Sequence, residues 1–377
     1  MSRNIWRFPS ISDVYLLTTM CRFLLASLII DAILREKTVG RRKKKLAEMA
    51  GGKELGDAYT ATLKQLKPQE GDTPGLGLQT LMWLSCSERP LRVDELCQAM
   101  AVEIGSADPD PENAPTLQEL LASCLGLVTV ESSSSTVRLV HFTLQQHLLD
   151  DPTIFHCPHS TIAKICLTYL NFASVRNLSP TLDSAPSTMP LLEYSSCHWG
   201  DHAKRGMTKE IEILTLSLLE KFDEHISAHL LLLRYFRQIP FDICDDAMSR
   251  ATGFTGLHGA AFFGITKILA PMLEMKKWDV DATDFTGRTA LMWAVEHKHD
   301  EAVEMLSERN GVRSTEPSIL HQVSSMWPLK LLYPPRKSGT HPNNTRPALP
   351  IVVNRYWVIG SCICLLAFLA HRKNSHN

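Results

Sequence analysis

Three short stretches carry residue types that could do chemistry. Residues 253 to 266, GFTGLHGAAFFGIT, set Gly259 and Gly264 at the G-x-x-x-x-G spacing of a phosphate-binding loop, with Thr266 close behind. Such a loop works when backbone amides and a helix N-terminus converge on the anion and a lysine after the last glycine reaches the outer phosphates. Here the lysine position is Ile265, and the preceding SRATGFTG holds no apolar strand run, so phosphate binding is not expected. The second stretch, HCPH at His156 to His159, places two imidazoles beside a thiol. No second Cys or His pair follows at zinc-finger spacing, and a loop before the next helix is expected. The third is HFTLQQH, where His141 and His147 have the right chemistry for proton transfer but no carboxylate at a recognisable spacing. Packing or capping roles are expected for both. With no G-x-S-x-G elbow, no H-E-x-x-H and no complete Walker A, the chain reads as a non-enzyme without a cofactor or a metal.

The same 253 to 266 stretch has a second meaning once internal periodicity is tested. Thr255, Leu257, Ala260 and Met272 are matched 34 positions later by Thr289, Leu291, Ala294 and Leu306. Each unit offers a turn, a helix of small residues and a second helix with apolar anchors, which is the ankyrin pattern. Stacked ankyrin units leave turn tips and inner helices free for a protein partner. Candidate contact residues are Phe254, Phe285, Arg288, Met292 and Trp293; plain repeat packing is the alternative for each one singly. Around three repeats are normally needed for stability. Only two are plain, so the preceding helices are expected to cap the first.

Those preceding elements can be read from pattern. Leu78, Leu81, Met82 and Leu84 begin one helix, and RPLRVDELCQAMAVEIG supplies a second, with Val93, Leu96, Cys97 and Met100 on one face. Thr116 and Glu119 have capping-box spacing at the head of a third. GLVTVE and TVRLVHF, joined by Ser132 to Ser135, predict a β-hairpin. Three helices and a hairpin make a winged helix, a fold that often reads DNA. Residues 76 to 150, however, hold three basic residues, Arg89, Arg92 and Arg138, against ten acidic ones. Phosphate repulsion makes nucleic acid an unexpected partner. Residues 157 to 249 predict a helical spacer, whose last stretch carries Ile211, Leu214, Leu218, Leu219 and Phe222 at helical spacing.

LMWLSCSERPLRVDELCQAM, CLGLVTVESSSSTVRLVHFTLQQHLL and GFTGLHGAAFFG together resemble fungal NACHT and ankyrin-repeat proteins, relatives of nucleotide-binding immune receptors. That resemblance implies a nucleoside-triphosphatase module first, then a winged helix of the type named after GPI inositol-deacylases, a helical spacer and ankyrin repeats. It also implies a P-loop and a Walker B strand upstream of the winged helix, and neither motif is present here. FLLASLIIDAILRE corresponds to the helical end of that module only. The lipase activity implied by the inositol-deacylase name belongs to a different domain, and no nucleophile elbow carries it over.

The chain is thus expected to be mainly α: a winged helix with a small β-hairpin, a helical spacer and a short ankyrin-repeat array. Its expected parts are a helical remnant resembling the end of a NACHT module (1–67), a linker (68–77), the winged helix (78–156), the spacer (157–249), two ankyrin repeats (250–312), a Pro-rich linker (313–350) and a hydrophobic C-terminal segment (351–377). The apolar run at 14–34 fits a buried helix better than a signal peptide. Arg41 to Lys45 form a basic run, read either as a solvated helix face or as a nuclear import signal. Ten scattered cysteines suit buried thiols in a reducing compartment, hence a cytoplasmic protein. A net charge of -1 draws the whole chain to neither nucleic acid nor anionic lipid. The uncharged run from Trp357 to Ala370, with Leu365, Leu366 and Phe368, is shorter than the ~20 residues of a full span. It reads as a membrane anchor that would leave the rest facing the cytosol, as a hydrophobic docking segment, or as a divergent tail with no selected role. The expected function is non-catalytic protein–protein interaction, the partner being a protein such as a full-length NACHT relative. Membrane-tethered adaptor and accessory part of a NACHT switch are the alternatives.

Overall fold

Leu81, Trp83, Leu96, Leu120 and Leu144 are fully or almost fully buried, and they mark where the winged helix closes on itself. The computed structural model describes residues 30, 33–34, 37–49, 55–66, 75–182, 184–237, 253–275 and 277–309. Two helices, α1 (Val39–Met49) and α2 (Leu55–Leu66), precede the winged helix. Tyr59 of α2 is buried and shares a 3.0 Å hydrogen bond with Thr143. Arg41, Lys43 and Lys44 are exposed on α1. Ile30 and Leu34, from the run expected to be buried, are 54% and 59% exposed, because no described element covers them; the remainder of that run lies outside the described residues.

The winged helix follows as α3 (Leu76–Cys86), α4 (Val93–Ala101) and α5 (Leu117–Ser123), then β2 (Val128–Glu131), β3 (Thr136–Leu139) and α6 (Phe142–Asp150). Thr116 and Glu119 do form a capping box: Glu119 Oε2 accepts from Thr116 N at 2.7 Å while Thr116 Oγ1 accepts from Glu119 N at 3.3 Å. The hairpin pairs Val130 with Val137 and Glu131 with Thr136. A third strand, β1 (Leu91–Arg92), pairs with β3 to give a sheet of order β1-β3-β2. Sequence pattern folds those two residues into the following helix, since two residues are too few to display strand alternation. Glu95 is completely buried, and Arg89 grips its carboxylate through bonds of 2.8 and 2.6 Å while Arg92 N adds a third at 2.8 Å.

The stretch expected to be the spacer holds α7 (Pro158–Asn171), the short α8 (Ala173–Arg176), α9 (Leu191–Arg205), α10 (Lys209–Leu219) and α11 (Ile226–Arg237). Helix α9 is central: it packs on α7, on α11 and on α4 of the winged helix. Gln98 Oε1 of α4 accepts both Tyr169 OH (2.8 Å) and Leu191 N (2.9 Å), so winged helix and spacer share polar as well as apolar contacts. Apolar periodicity would carry α10 straight through Phe222, but the chain breaks at Glu220, turns through a 3₁₀ segment (Phe222–Glu224) and restarts at Ile226. The break lets Leu219 and Phe222 turn toward the next unit.

That unit is two helix pairs: α12 (Gly256–Phe263) with α13 (Thr266–Glu274), and α14 (Ala290–Glu296) with α15 (Asp300–Arg309). Leu257, Ala260, Met272, Ala294 and Leu306 are buried between them, as the 34-residue echo requires. The six cysteines described are free thiols; burial drives Cys166 up to about 12 and Cys86 up to about 11, which keeps both protonated and inert. Among the described residues no helix is long and apolar enough to cross a membrane. Trp357, Leu365, Leu366 and Phe368 lie outside the described residues.

Candidate protein-interaction surface

The helical geometry of 256–263 removes the phosphate loop. Gly259 lies inside α12, where its bare Cα admits the Phe222 ring; a Cβ there would approach that ring to 2.8 Å. Gly264 ends the helix in the left-handed conformation, φ 65°, and the His299 ring packs where its Cβ would be. Both glycines serve close packing. A cleft of about 370 Å³ opens beside Gly264, lined by Lys204, Lys267 and Lys298, but Asp300 and Glu301 line it as well and oppose any anion. The other chemically suggestive stretches are similarly occupied. His141 caps α6 by accepting from Thr143 N at 3.3 Å, and the His147 ring lies tilted against Tyr59 with centroids 5.6 Å apart. His159 meets buried His202 at 2.9 Å; Cys157 stands at the N-cap position of α7 without a side-chain cap bond and is exposed, unlike the buried thiols expected. Among the described residues no three His, Cys, Asp or Glu converge as a metal site.

What the geometry does build is a hydrogen-bonded turn-and-helix unit. In the second helix pair the turn is organised by Asp284, whose Oδ1 accepts from Thr286 N (2.8 Å), Thr286 Oγ1 (2.6 Å) and Arg288 N (3.0 Å). Its Oδ2 accepts from Trp293 Nε1 at 2.8 Å. Gly287 adopts φ 80° at the tip, and Asp284 N bonds back to Arg288 O at 2.9 Å. From the first pair, His258 Nδ1 accepts from Thr255 N at 3.1 Å, which fixes the proton on Nε2. That N–H reaches Ala282 O and Arg288 O, each at 3.1 Å, tying the first inner helix to the second turn. Burial pulls the His258 pKa below its ordinary value, consistent with a neutral ring in this role. His299 makes the complementary link, donating from Nε2 to Phe262 O at 3.0 Å while Lys204 Nζ donates to its Nδ1 at 3.3 Å.

Two bodies of this chain are recognisable by comparison. Residues 75–176 match the family model for the GPI inositol-deacylase winged helix domain, and residues 223–316 match the model for ankyrin repeats (3 copies). The chain joins a GPI inositol-deacylase-type winged helix to ankyrin repeats. Comparison with curated proteins and with solved structures gave no match. Ankyrin repeats are protein-interaction motifs, so the winged-helix and ankyrin chain carries a surface of the kind that takes a protein partner.

The five contact residues expected on that ankyrin surface divide. Phe285, Arg288 and Met292 are half-buried at the turn and on α14. Phe254 and Trp293 are corrected to core residues: both are 0% exposed, because they pack edge to face against one another with ring centroids 5.5 Å apart, and Phe262 and Tyr235 pack on Trp293 as well. Sequence inspection missed Asp284, although D-x-x-G-x-T from Asp284 to Thr289 is a turn signal; the equivalent position 34 residues earlier is Arg250, so the repeat does not advertise it. It also missed Tyr235 and Phe236, whose rings lie 5.0 and 6.5 Å from Trp293. No local signal connects residues 58 positions apart.

Proposed function

We propose that this chain is a non-catalytic protein-interaction module, with the winged helix and spacer acting as a rigid base that presents a short ankyrin stack. The observation that carries this is the polar web around Asp284, His258 and His299, which fixes turn, inner helix and spacer in one geometry. Preorganised surfaces bind with less loss of conformational entropy, so a pre-set turn is an investment suited to recognition. The partner class favoured by the resemblance of VRLVHFTLQQHLL is a full-length NACHT relative, which this chain would bind in place of the relative's own equivalent region. The proposed setting is the cytoplasm.

The test is size-exclusion chromatography of the purified chain mixed with such a relative, alongside the relative's nucleoside-triphosphatase rate. Co-elution with a changed rate is expected; separate elution with an unchanged rate overturns the interference reading. A tethered version of the same role is supported by the uncharged run from Trp357 to Ala370 beside Tyr356 and His371 to Lys373. Deleting residues 351–377 should then move the chain from the membrane fraction to the soluble fraction, and an unchanged distribution counts against tethering.

A further inference from the structure

In an ankyrin stack each unit touches only its neighbours in line. Helix α11 breaks that rule. The ankyrin match begins before it, yet the place in line beside α12 is held by α10 and the 3₁₀ turn, through Leu219 and Phe222 against Gly256 and Gly259. The N-terminal half of α11 is instead fixed to α9, where Ser196 Oγ donates to Ser227 Oγ at 3.2 Å, and Leu230 and Leu231 are buried. Its C-terminal turn then touches the first helix pair at Phe262 and reaches on to the second. Tyr235 packs on Phe262, Trp293 and His297 with centroid distances of 5.8, 5.0 and 5.6 Å, and its hydroxyl donates to Glu296. Phe236 packs on Phe285 at 5.7 Å. The Arg288 guanidinium lies 4.8 Å from the Trp293 ring centroid and 5.9 Å from that of Phe236, while Arg288 Nε is 3.5 Å from Glu296.

These are the inner-helix and turn positions that make an ankyrin recognition face. We propose that Tyr235 and Phe236 are an internal occupant of that face, and that the partner it takes is a protein segment presenting an adjacent aromatic pair with a hydroxyl, which binds in their place. The occupant defines the chemistry. One ring inserts edge to face against Phe262 and Trp293, its hydroxyl bonds to the Glu296 carboxylate, and a second ring lies against Phe285 beside the Arg288 cation. An acidic or aliphatic segment supplies none of these. This proposal rests on the reading of the repeats as a protein-binding surface, and adds that the surface is closed in the free chain.

The experiment uses the full chain and a fluorescein-labelled peptide of residues 226–237. Wild type and the double variant Tyr235→Ala/Phe236→Ala are titrated with the peptide by fluorescence anisotropy, with far-UV circular dichroism confirming the fold. The variant should bind the peptide saturably and wild type roughly tenfold or more weakly, the scale set by several aromatic contacts made within the chain. A peptide carrying the same two substitutions should not bind. Equal binding by both chains, or no binding by the folded variant, overturns the proposal. If the double variant unfolds, Tyr235→Phe removes only the bond to Glu296; the peptide should then bind more tightly to this variant than to wild type, and identical affinities overturn the proposal. A protein partner held equally by wild type and the opened variant sinks the cover and leaves the interaction reading intact. Peptide binding by the opened variant together with partner binding insensitive to Phe285→Ala does the reverse.

Discussion

Trp293 Nε1 donates to Asp284 Oδ2 at 2.8 Å, joining a fully buried indole on the inner helix α14 to a carboxylate that is only 5% exposed and that organises the preceding turn. One side chain thereby decides both the turn shape and the indole position. Replacing Asp284 with Ala strands the indole N–H and the Thr286 and Arg288 amides. An unsatisfied buried donor costs about 1–3 kcal/mol. A loss on the order of 3 kcal/mol is expected in urea unfolding, with altered tryptophan emission; a midpoint within error of wild type would show that water replaces the carboxylate.

The two glycines of the apparent phosphate loop separate the rival meanings of that stretch. Gly264→Ala forces a side chain into the left-handed region and into the His299 ring. Strain at such a position costs about 1–3 kcal/mol, so thermal stability should drop while nucleotide binding stays undetectable before and after. Equilibrium dialysis with labelled ATP and GTP checks the second half, and saturable binding lost in the variant would reinstate the loop.

Acid should loosen the chain through buried neutral histidines. Burial lowers His225 to about 4, His297 to about 4 and His202 to about 3, against an ordinary value near 6.5. Each is therefore protonated in the unfolded chain at a pH where the folded chain keeps it neutral. Their contribution is fully present above about pH 6.5 and is lost as pH falls from there toward 4. Each ring can remove up to about 1.4 kcal/mol per pH unit across that window. Urea unfolding at pH 7 and pH 5 measures it, and equal stability at the two values would mean that these rings are hydrated.

Arg89 and Glu95 form the most enclosed ion pair of the winged helix. Arg89→Ala leaves a completely buried carboxylate without its cation, and breaking a buried pair on one side costs about 3–5 kcal/mol. Replacing both, as Arg89→Met with Glu95→Leu, should recover much of that loss. Unfolding of the double variant at the single variant's midpoint would show that the stranded carboxylate is not the source of the loss.

Much of this architecture is legible in the residues because it is local. The capping box at Thr116 and Glu119, the hairpin on either side of four serines, and the echo between Thr255 and Thr289 depend on contacts a few residues apart or on one fixed period. The break between Leu219 and Ile226, with its 3₁₀ turn, has no such local signal. Its apolar spacing is uninterrupted, and only the demand that Phe222 meet Gly259 bends the chain there.

Apart from the two-residue β1 and the 3₁₀ turn, the element types were legible in the residues, as were the acidic winged helix, the repeat period and the unsuitability of Ile265 for phosphate, since each follows from side-chain chemistry and spacing along one chain. Tertiary structure alone decided which repeat residues are reachable. Phe254 and Trp293 look like contact residues in a linear pattern, yet burial is a property of what lies across from them, and what lies across from Trp293 is Tyr235, brought over it by the packing of α11 on α9.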